Sequence, residues 1–441
     1  MIHFASGELN ENRRLDLKDT VILGAGVAGL GAALAAGKER ATVFEKKNHV
    51  GGNCSSFTID GFTFDTGIHL SFGDNKVLRS IFDQTPYSTH VPMPYNYFNG
   101  IWIKHPVQSN LYPLPLDMKV SAIKDFVYRP SDIPIKNYAD WLLSQYGEYL
   151  TRTFHNVYTR KYWRKEPREM TTDWIGNRMK QVDLEEILVG ALSEKKEHEY
   201  YINEMRYPKR GGFAAFLEPL KGLTDVELEK EAVKIDSRKR TVVFSDGDQV
   251  GYEHLFCSVP MPEIVEMIEG TPEKVKSAVE ALACTSVCLI SVGFDLADIS
   301  EYLWFYVYDE DILFSRIYSP SIQAASNAPP NKSSLQMECY FSKESDSMLT
   351  QDVIRENAFY SMKKLGLPVD SILFADVRTL DYANVTFVHS TSEARKIVAD
   401  YLESLGINLI GRYAEWRYLW SNQSFVSGYD KAFRAVNKYG S

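Results

Sequence analysis

The sequence predicts an α/β protein built on a Rossmann-like domain. TVILGAGVAGLGAALAAGKERATVFE has the pattern of a strand, a glycine turn, an alanine-rich helix and a second strand. Further along, HLFCSVP has the pattern of a strand that returns to the same sheet. The chain of 441 residues is too long for one hydrophobic core, so further lobes are expected.

The glycines of the first turn stand where a dinucleotide-binding motif needs them. Gly24 permits the tight turn, Gly26 lets the backbone approach a pyrophosphate, and Gly29 lets helix and strand pack closely. Glu45 ends the second strand, where an acid would hold ribose hydroxyls and disfavour a 2'-phosphate. The motif predicts FAD or NAD and leaves the two open; an ordinary glycine turn is the alternative.

The rest of the chain predicts two more lobes. Residues 76–204 hold Pro-rich loops and then helical stretches, with Asn137 as a helix N-cap, and predict a mainly helical insertion lobe. Residues 263–404 carry aromatic, β-rich segments such as TSVCLISVGF and predict an antiparallel-sheet substrate lobe. The remaining segments form the discontinuous dinucleotide-binding domain and an N-terminal extension: 18–75, 205–262 and 405–441, preceded by 1–17.

Charge and composition exclude several classes of protein. The net charge of −9, without a long Lys/Arg run, argues against a nucleic-acid binder. A local arginine pocket for an anionic ligand is still allowed, because charges are screened over about 8 Å. Eighteen uncharged residues lie between Asp19 and Lys38, but five are glycines, which disfavours a membrane span. No secretory signal is visible, so a cytoplasmic location is expected.

No side-chain motif for hydrolysis or metal binding is present. The five cysteines form neither an even disulfide framework nor a CxxC pattern, so reduced and mostly buried thiols are expected. There is no GxSxG elbow, HExxH motif or paired Cys/His cluster. We therefore expect a bound cofactor to carry the chemistry and no metal.

The segment after the second strand resembles a flavoprotein superfamily. EKKNHVGGN is similar to the second glycine element of the amine oxidases, protoporphyrinogen oxidase and UDP-galactopyranose mutase. The resemblance implies FAD, with Lys46, Gly51, Gly52 and Asn53 at the cofactor. It also places His69, in FTFDTGIHLSF, beside the isoalloxazine ring; the alternative is an ordinary hydrogen-bonded histidine.

Over nearly the whole chain after about residue 18, the sequence resembles the UDP-galactopyranose mutases, particularly the eukaryotic type. YTRKYWRKEP and WIGNRM are similar to the helical lobe of that family, which implies that Arg178 binds the substrate pyrophosphate. WFYVYDEDILFSRIYSP resembles a strand pair that presents a second arginine, Arg316, with Trp304 and Tyr306 on one strand face. DYANV resembles a segment with a pyrophosphate-binding tyrosine, Tyr382.

The closing stretch GRYAEWRYLWSNQSF also resembles the mutases. It implies that Arg412 contacts the flavin side and Tyr418 the substrate pyrophosphate. We predict a strand over 412–418 and then a helix, capped by Ser421 or Asn422, whose N-terminal end faces the N1/O2 edge of the flavin. At the start of this helix, Asn422 is expected to bind the substrate and Gln423 the cofactor.

The loop HPVQSNLYPLP resembles the mutase loop that contacts the nucleotide base. It keeps Gln108 at the base-contacting position, but His105 and Val107 stand where eukaryotic-type mutases carry aromatic residues. Losing one base stack would cost about 1–3 kcal/mol, so the nucleotide preference stays open. Trp163 and Trp304 are candidate sugar or base platforms, with core tryptophans as the alternative.

The resemblance implies an isomerase with a nucleotide-sugar substrate. In it, N5 of reduced FAD attacks the anomeric carbon and expels the nucleotide, and ring closure through another hydroxyl interconverts pyranose and furanose. Arg178 and Arg316 hold the pyrophosphate as anchor and leaving group, with His69 at the flavin, so removing either arginine is expected to reduce turnover more than stability. NAD(P)H is the expected reductant, galactofuranose for cell-surface polysaccharide the expected product, and a homo-oligomer is possible.

Other interpretations stay open. A flavin oxidase or dehydrogenase of the amine oxidase or protoporphyrinogen oxidase type predicts an apolar or acid-lined pocket in place of the arginines. An inactive flavin-binding protein predicts no turnover of any nucleotide sugar. In the closing stretch, the alternative to a site is a surface salt bridge of Glu415 with Arg412 or Arg417.

Overall fold

The computed structural model describes residues 18–194, 202–342 and 346–436. The predicted N-terminal extension, residues 1–17, lies outside the described residues. The strands are, in chain order, β1 (Thr20–Leu23), β2 (Ala41–Phe44), β3 (Ser56–Ile59), β4 (Phe62–Asp65), β5 (Tyr87–His90), β6 (Tyr95–Phe98), β7 (Ile101–Lys104), β8 (Met205–Pro208), β9 (Val226–Glu227), β10 (Ala232–Asp236), β11 (Thr241–Phe244), β12 (Gln249–Gly251), β13 (His254–Cys257), β14 (Cys284–Phe294), β15 (Trp304–Val307), β16 (Arg316–Tyr318), β17 (Ser333–Phe341), β18 (Ile372–Val385) and β19 (Ile407–Leu409). The helices are α1 (Val27–Ala36), α2 (Lys76–Phe82), α3 (Leu116–Val127), α4 (Tyr138–Leu150), α5 (Asn156–Trp163), α6 (Leu184–Leu192), α7 (Glu218–Leu223), α8 (Met261–Glu266), α9 (Glu273–Glu280), α10 (Pro320–Gln323), α11 (Gln351–Lys364), α12 (Thr391–Ser404), α13 (Gly411–Ala414) and α14 (Ser421–Val436).

A parallel sheet forms the first layer, as the predicted fold class requires. Its strand order is β19-β13-β1-β2-β9, and every neighbouring pair is parallel. All four residues of β1 are buried, which is typical of a parallel strand covered on both faces. β13 pairs with β1 through Leu255 and Val21, so HLFCSVP does return to this sheet. The sheet draws its strands from the beginning, middle and end of the chain, so the α/β domain is discontinuous.

Small residues let two helices pack closely beside this sheet. A Cβ added at Gly29 would lie 1.9 Å from the carbonyl oxygen of Gly24, so α1 contacts the turn before it. A Cβ at Gly428 of α14 would lie 1.9 Å from the carbonyl oxygen of Ala28. Because backbone atoms cannot move aside as a flexible side chain can, glycine is required at both contacts.

We expect Gly428→Ala to lower the free energy of unfolding by about 1–3 kcal/mol, because its methyl group would force α14 away from α1. Gly222→Ala is the matched control: Gly222 lies in α7, and a Cβ there would meet no atom within 4 Å. That variant should be neutral or more stable by about 0.5–1 kcal/mol. Urea denaturation measures both, and equal stability of the two variants would contradict the prediction.

An antiparallel sheet forms the second layer. Its strand order is β18-β14-β17-β16-β15-β6-β7, and only β15 and β6 pair in parallel. The last two strands come from residues 95–104, inside the segment predicted to be mainly helical. The signal was present but local: YNYF and IWIK flank Asn99 and Gly100, whose φ values of 48° and 82° make the tight hairpin turn that Asn-Gly favours.

Helices α3 to α6 form the remaining lobe around their own apolar core. The predicted N-cap is confirmed, because the Asn137 side chain accepts a hydrogen bond from the backbone N–H of Asp140 (3.0 Å). Buried Lys161 of α5 donates to the carbonyl oxygens of Val307 (2.7 Å) and Asp309 (3.1 Å), next to β15. This contact ties the helical lobe to the antiparallel sheet.

The β3–β4 hairpin ends at a buried carboxyl group. Asp65 accepts hydrogen bonds from the Ser56 hydroxyl (2.6 Å), the Phe213 backbone N–H (2.9 Å) and the Tyr207 hydroxyl (2.8 Å). A Cβ at Gly212 would lie 2.8 Å from an Asp65 carboxyl oxygen, so only glycine leaves room at this position for the hydrogen bonds of Asp65. Burial raises the pKa of Asp65 from its ordinary 3.8 to about 6, although the hydrogen bonds oppose the shift.

This shift predicts a pH dependence of stability. Between about pH 4 and pH 6 the unfolded chain has an ionised Asp65 while the folded protein keeps it protonated, so Asp65 makes the protein less stable as the pH rises, by about 3 kcal/mol in total. Above pH 6 its contribution is constant. Thermal melting between pH 4 and pH 6 should show this loss of stability in the wild type but not in Asp65→Asn. Asp60→Asn, in the exposed turn of the same hairpin, should show the same pH dependence as the wild type. A pH-independent difference between wild type and Asp65→Asn would contradict the prediction.

Two further expectations concern membranes and thiols. Among the described residues, no helix is both long and apolar enough to cross a bilayer. All five cysteines are free thiols and, apart from half-buried Cys284, they are buried, as expected. The described part of the chain holds no cluster of side chains suited to a metal ion.

Candidate active site

A cavity of about 1310 Å³ lies where the parallel sheet, the antiparallel sheet and the helical lobe meet. Pockets for small molecules usually measure about 300–1,000 Å³, so there is room here for a cofactor and a second ligand. Most of the residues that sequence reasoning singled out line it: Gly24, Gly26, Glu45, Lys46, Gly51, Gly52, Asn53, His69, His105, Gln108, Trp163, Arg178, Trp304, Tyr306, Arg316, Tyr382, Arg412 and Tyr418.

Four predicted residues lie outside the cavity wall. Gly29 is the packing glycine of α1. Val107 is 1% exposed and packs in the core of the helical lobe. Asn422 packs its side chain against Gly73, where an added Cβ would lie 2.6 Å away. Gln423 is exposed.

The glycine turns form a backbone cradle at the N-terminus of α1. Gly51 donates its N–H to the carbonyl oxygen of Ala25 (2.8 Å), and the Glu45 carboxylate accepts from the N–H of Ala25 (2.8 Å). A Cβ at Gly52 would lie 3.2 Å from Cα of Gly26, whereas one at Gly26 would meet no atom within 4 Å. The space in front of the helix N-terminus is therefore open, and its N–H groups suit a pyrophosphate. These residues fit the pyrophosphate and ribose of a dinucleotide.

His69 is a neutral histidine in the cavity wall. Its Nδ1 donates to the carbonyl oxygen of Gly67 (2.9 Å). Burial lowers the pKa of His69 to about 4, although that hydrogen bond opposes the shift. It is thus hydrogen-bonded, as the alternative proposed, and also placed at the cavity. Nearby, Asn53 donates to the carbonyl oxygen of Tyr382 (3.1 Å) and the hydroxyl of Tyr413 (3.0 Å), which joins the cradle to β18 and the C-terminal segment.

Two guanidinium groups contact the same tyrosine ring. Arg178 donates to the carbonyl oxygens of Trp174 (3.1 Å) and Tyr418 (2.8 Å), and its guanidinium lies 4.7 Å from the centre of the Tyr418 ring and 4.5 Å from that of Trp420. The guanidinium of Arg412 also lies 4.7 Å from the centre of the Tyr418 ring. The fold therefore brings two cations together beside one aromatic ring.

Arg412 is held by neutral acceptors. It donates to the carbonyl oxygens of Leu419 (3.2 Å) and Ala383 (3.2 Å) and to Oδ1 of Asn384 (2.8 Å). Its Nε is buried and has no hydrogen-bond partner among the residues that the structure describes. Within residues 18–194, 202–342 and 346–436, no carboxylate forms a salt bridge with it. A guanidinium in a cavity wall without a carboxylate indicates that the cavity is built for an anion.

Arg316 is different, because it forms a buried ion pair. Its Nε and Nη2 both lie 2.7 Å from one carboxylate oxygen of Glu338, which is 1% exposed. Tyr340 donates to the same oxygen (3.0 Å), and the N–H of Ile68 donates to the other (3.1 Å). Burial alone would lower the pKa of Arg316, but Glu338 and the neighbouring tyrosines raise the pKa well above its usual value.

Sequence reasoning missed Glu338, the buried carboxylate that pairs with Arg316. A single charged residue inside the buried run SSLQMECYF of β17 was the available signal. β16 places Arg316 directly opposite Glu338 in the ladder and opposite Tyr306 on its other side. We therefore expect the removal of Arg316 to lower the stability of the protein.

The predicted strand over 412–418 is wrong. Gly411–Ala414 forms the short helix α13, and Trp416 has a left-handed φ of 50°. Two observations explain the turn: Trp416 is 1% exposed in the core beside the parallel sheet, and the N–H of Gly411 donates to Glu415 (3.2 Å) and Ser427 (3.0 Å). Arg412 and Tyr418 reach the cavity because the chain turns between them, not because strand residues alternate.

The predicted cap of the last helix is also corrected. α14 begins at Ser421, so neither Ser421 nor Asn422 precedes it. Instead, the backbone N–H of Trp420 donates to the side-chain oxygen of Gln423 (3.0 Å). At the surface, Arg417 pairs with Glu415 (3.1 Å), so the surface salt bridge exists for Arg417 and not for Arg412.

The end of the cavity in the helical lobe is lined by polar side chains, and its two histidines are neutral. His105 donates from Nδ1 to Oδ1 of Asn96 (3.0 Å), and burial lowers its pKa to about 3. Burial also lowers the pKa of His155 to about 3, and its buried Nε2 has no hydrogen-bond partner in the described part of the chain. Gln108 donates to the carbonyl oxygen of Lys180 (3.2 Å), which leaves its amide oxygen as an acceptor. Such groups suit the edge of a nucleobase.

The two candidate tryptophan platforms are both buried and part of the cavity wall. Trp163 is 4% exposed and Trp304 is 3% exposed. The Trp163 ring lies 5.2 Å from the Tyr418 ring. Sequence reasoning also missed Tyr158 and Tyr162, although their spacing of four residues places them on one face of α5.

Comparisons with known proteins agree with this architecture in part. Residues 22–85 match the family described as NAD(P)-binding Rossmann-like domain. The chain is 56% identical to 4,4'-diapophytoene desaturase (4,4'-diaponeurosporene-forming) of Staphylococcus haemolyticus over 66 residues, 14% of this chain and 13% of that protein. It is 39% identical to all-trans-retinol 13,14-reductase of Danio rerio over 70 residues, 15% of this chain and 12% of that protein. These matches span about an eighth of the relatives' lengths, so they do not show that this chain has the relatives' activities.

A solved structure covers almost the whole chain. Reduced UDP-galactopyranose mutase superposes with a TM-score of 0.89 at 23% identity, covering 95% of this chain and 96% of that one. The chain has the fold of UDP-galactopyranose mutase. The sequence resemblance is confirmed at the level of fold, and so is the predicted fold class. Putrescine oxidase bound to putrescine superposes with a TM-score of 0.65 at 15% identity, covering 96% of this chain and 99% of that one. The mutase fold is thus shared with an oxidase, so fold alone does not choose the reaction.

Proposed function

We propose that the protein is a flavin-dependent mutase that interconverts the pyranose and furanose forms of a nucleotide sugar. One observation carries the proposal: Arg178 and Arg412 contact the same Tyr418 ring in a cavity that continues into the dinucleotide cradle. An amine or an apolar substrate would not need two guanidinium groups here. Two neighbouring anions would: a substrate diphosphate at Arg178 and a reduced flavin at Arg412, because each charge-assisted hydrogen bond contributes about 1.5–3 kcal/mol.

FAD is the cofactor that we propose for the cradle. Gly24, Gly26 and Gly52 would hold its pyrophosphate and Glu45 its ribose, with His69 and Arg412 at the flavin end. When bound and reduced, FAD supplies the nucleophile for the anomeric carbon. NAD(P)H as reductant stays a prediction.

The protein's own side chains would bind and orient the substrate and stabilise the departing nucleotide. Arg178, Arg316 and Tyr418 line the cavity and would hold the diphosphate before and after the sugar bond breaks, which favours the developing negative charge. Tyr382 lines the same cavity and would add a hydroxyl donor. Buried Trp163 and Trp304 would keep water away from the anomeric carbon.

The base would occupy the end formed by His105, Gln108 and His155. That end offers hydrogen-bonding groups, and Tyr306 adds an aromatic ring 4.9 Å from His105. We propose a nucleoside diphosphate sugar without naming the base. Galactofuranose as product, cell-surface polysaccharide biosynthesis, a cytoplasmic location and a homo-oligomer stay predictions.

The test uses FAD-loaded protein reduced with dithionite and incubated with UDP-, dTDP- and GDP-sugars. We expect chromatography to show a ring-isomerised nucleotide sugar with one nucleotide, and none while the flavin stays oxidised. If FAD binds and is reduced but no sugar is isomerised, the proposal fails. Hydrogen peroxide production with an amine substrate would then favour the oxidase, and no turnover of any kind the inactive flavin-binding protein.

A further inference from the structure

The hydroxyl of Tyr162 lies at the centre of a hydrogen-bond network between the substrate-binding side chains. It lies 3.1 Å from the hydroxyl of Tyr418 and 3.3 Å from Oδ1 of Asn384. Asn384 also accepts from Arg412 (2.8 Å). One side chain of α5 therefore contacts two groups that come from β18 and the C-terminal segment.

Counting protons shows that this network has two arrangements. A tyrosine hydroxyl has one proton to donate. If Tyr162 donates to Asn384, its oxygen must accept the proton of Tyr418, and Tyr418 then has none for a ligand. If Tyr162 donates to Tyr418 instead, the Tyr418 proton can point into the cavity while Arg412 still satisfies Asn384.

We propose that Tyr162 is a positioning residue that directs the Tyr418 hydroxyl toward the substrate diphosphate. The inference rests on the proposed function, since it assumes that a diphosphate binds beside Tyr418. With the ligand bound, Tyr162 donates to Tyr418 and Tyr418 donates to a phosphate oxygen. Successive hydrogen bonds of this kind polarise and strengthen one another.

The surroundings of Tyr162 keep it able to donate. Burial, followed by the neighbouring Tyr418, raises the pKa of Tyr162 well above its usual value, so the hydroxyl keeps its proton at physiological pH. The ring lies 5.5 Å from the Tyr158 ring and 4.8 Å from the Tyr340 ring. Phenylalanine would keep these ring contacts, so Tyr162→Phe removes the hydroxyl alone.

Calorimetry of FAD-loaded protein with UDP and with inorganic pyrophosphate tests the inference. We expect Tyr162→Phe to weaken both ligands about tenfold, the size of one hydrogen bond. In a Tyr418→Phe background the same change should cost less than about twofold, because the hydroxyl that it positions is already absent. A purely structural role would not produce this coupling.

The matched control is Tyr97→Phe. Tyr97 is also buried and donates its hydroxyl to the carbonyl oxygen of Lys364 (3.3 Å), but it lies in the core of the antiparallel sheet outside the cavity wall. Its removal should leave both affinities unchanged. As a second variant that keeps the hydroxyl and almost the whole shape, 3-fluorotyrosine at position 162 is a more acidic donor and should tighten both ligands by about twofold.

The outcomes separate the inference from the proposed function. If the wild type binds UDP and pyrophosphate but Tyr162→Phe binds them equally well, only the inference is overturned. The same holds if the losses from Tyr162→Phe and Tyr418→Phe add independently, or if Tyr162→Phe does not fold and 3-fluorotyrosine fails to tighten binding. If the wild type binds neither ligand, the proposed function fails and the inference fails with it.

Discussion

Arg316→Ala is expected to lower the free energy of unfolding by about 3–5 kcal/mol and to abolish turnover of the nucleotide sugar. The cause is Glu338, which is 1% exposed and would be left without the guanidinium 2.7 Å away that compensates its carboxylate. Urea denaturation measures the first effect, and chromatography of the sugar product measures the second. Equal stability of variant and wild type would show that Glu338 does not depend on Arg316.

A double variant separates the two roles of Arg316. Arg316→Ala with Glu338→Gln removes the unpaired charge and should recover most of the stability, because a neutral amide is much less costly to bury than a carboxylate. Turnover should stay lost. Arg164→Ala is the matched control: Arg164 also forms two hydrogen bonds to one carboxylate, that of Asp346, but outside the cavity wall. It should retain turnover, and recovery of turnover in the double variant would contradict a role for Arg316 at the substrate.

Arg412→Met is expected to lower the reduction potential of the bound flavin by about 30–65 mV. A nearby cation stabilises the anionic reduced flavin more than the neutral oxidised form, and a charge-assisted hydrogen bond of about 1.5–3 kcal/mol corresponds to that shift for two electrons. The expectation depends on Arg412 having no carboxylate partner in the described part of the chain, so that its charge is not already compensated. A potentiometric titration of the FAD-loaded variant measures the shift.

Arg417→Met is the control for this titration. Arg417 lies five residues further along, but its side chain is 54% exposed and pairs with Glu415 at the surface. Its charge is screened by water, so its removal should leave the potential unchanged. If Arg412→Met and Arg417→Met behave alike, Arg412 does not act on the flavin.

Several features of this protein follow from short stretches of sequence. The strand, glycine turn and helix at residues 20–36 were predictable because tight turns need glycine and buried parallel strands need continuous apolar residues. The N-cap at Asn137 was also predictable, because its side chain bonds a backbone N–H only three residues further along the chain. Most of the site residues that were named in advance, from the resemblance to the mutases, do line the cavity.

Other features depend on residues that are distant in sequence and adjacent only in the folded protein. The turn at 411–414 replaces the predicted strand because burying Trp416 outweighs the alternating pattern around it. Glu338 meets Arg316 through strand pairing.

The sequence by itself determined the dinucleotide-binding unit, its glycine cradle and the residue types of the site, because those depend on backbone geometry within a few residues. The tertiary structure alone decided that the charge of Arg316 is compensated by a carboxylate and that Arg412 is held by neutral acceptors. Charge compensation is a matter of distance in space: Glu338 lies beside Arg316, whereas among the described residues Arg412 donates only to neutral acceptors. The Tyr162–Tyr418 contact likewise depends on the folded structure, because it joins residues 256 positions apart in the sequence.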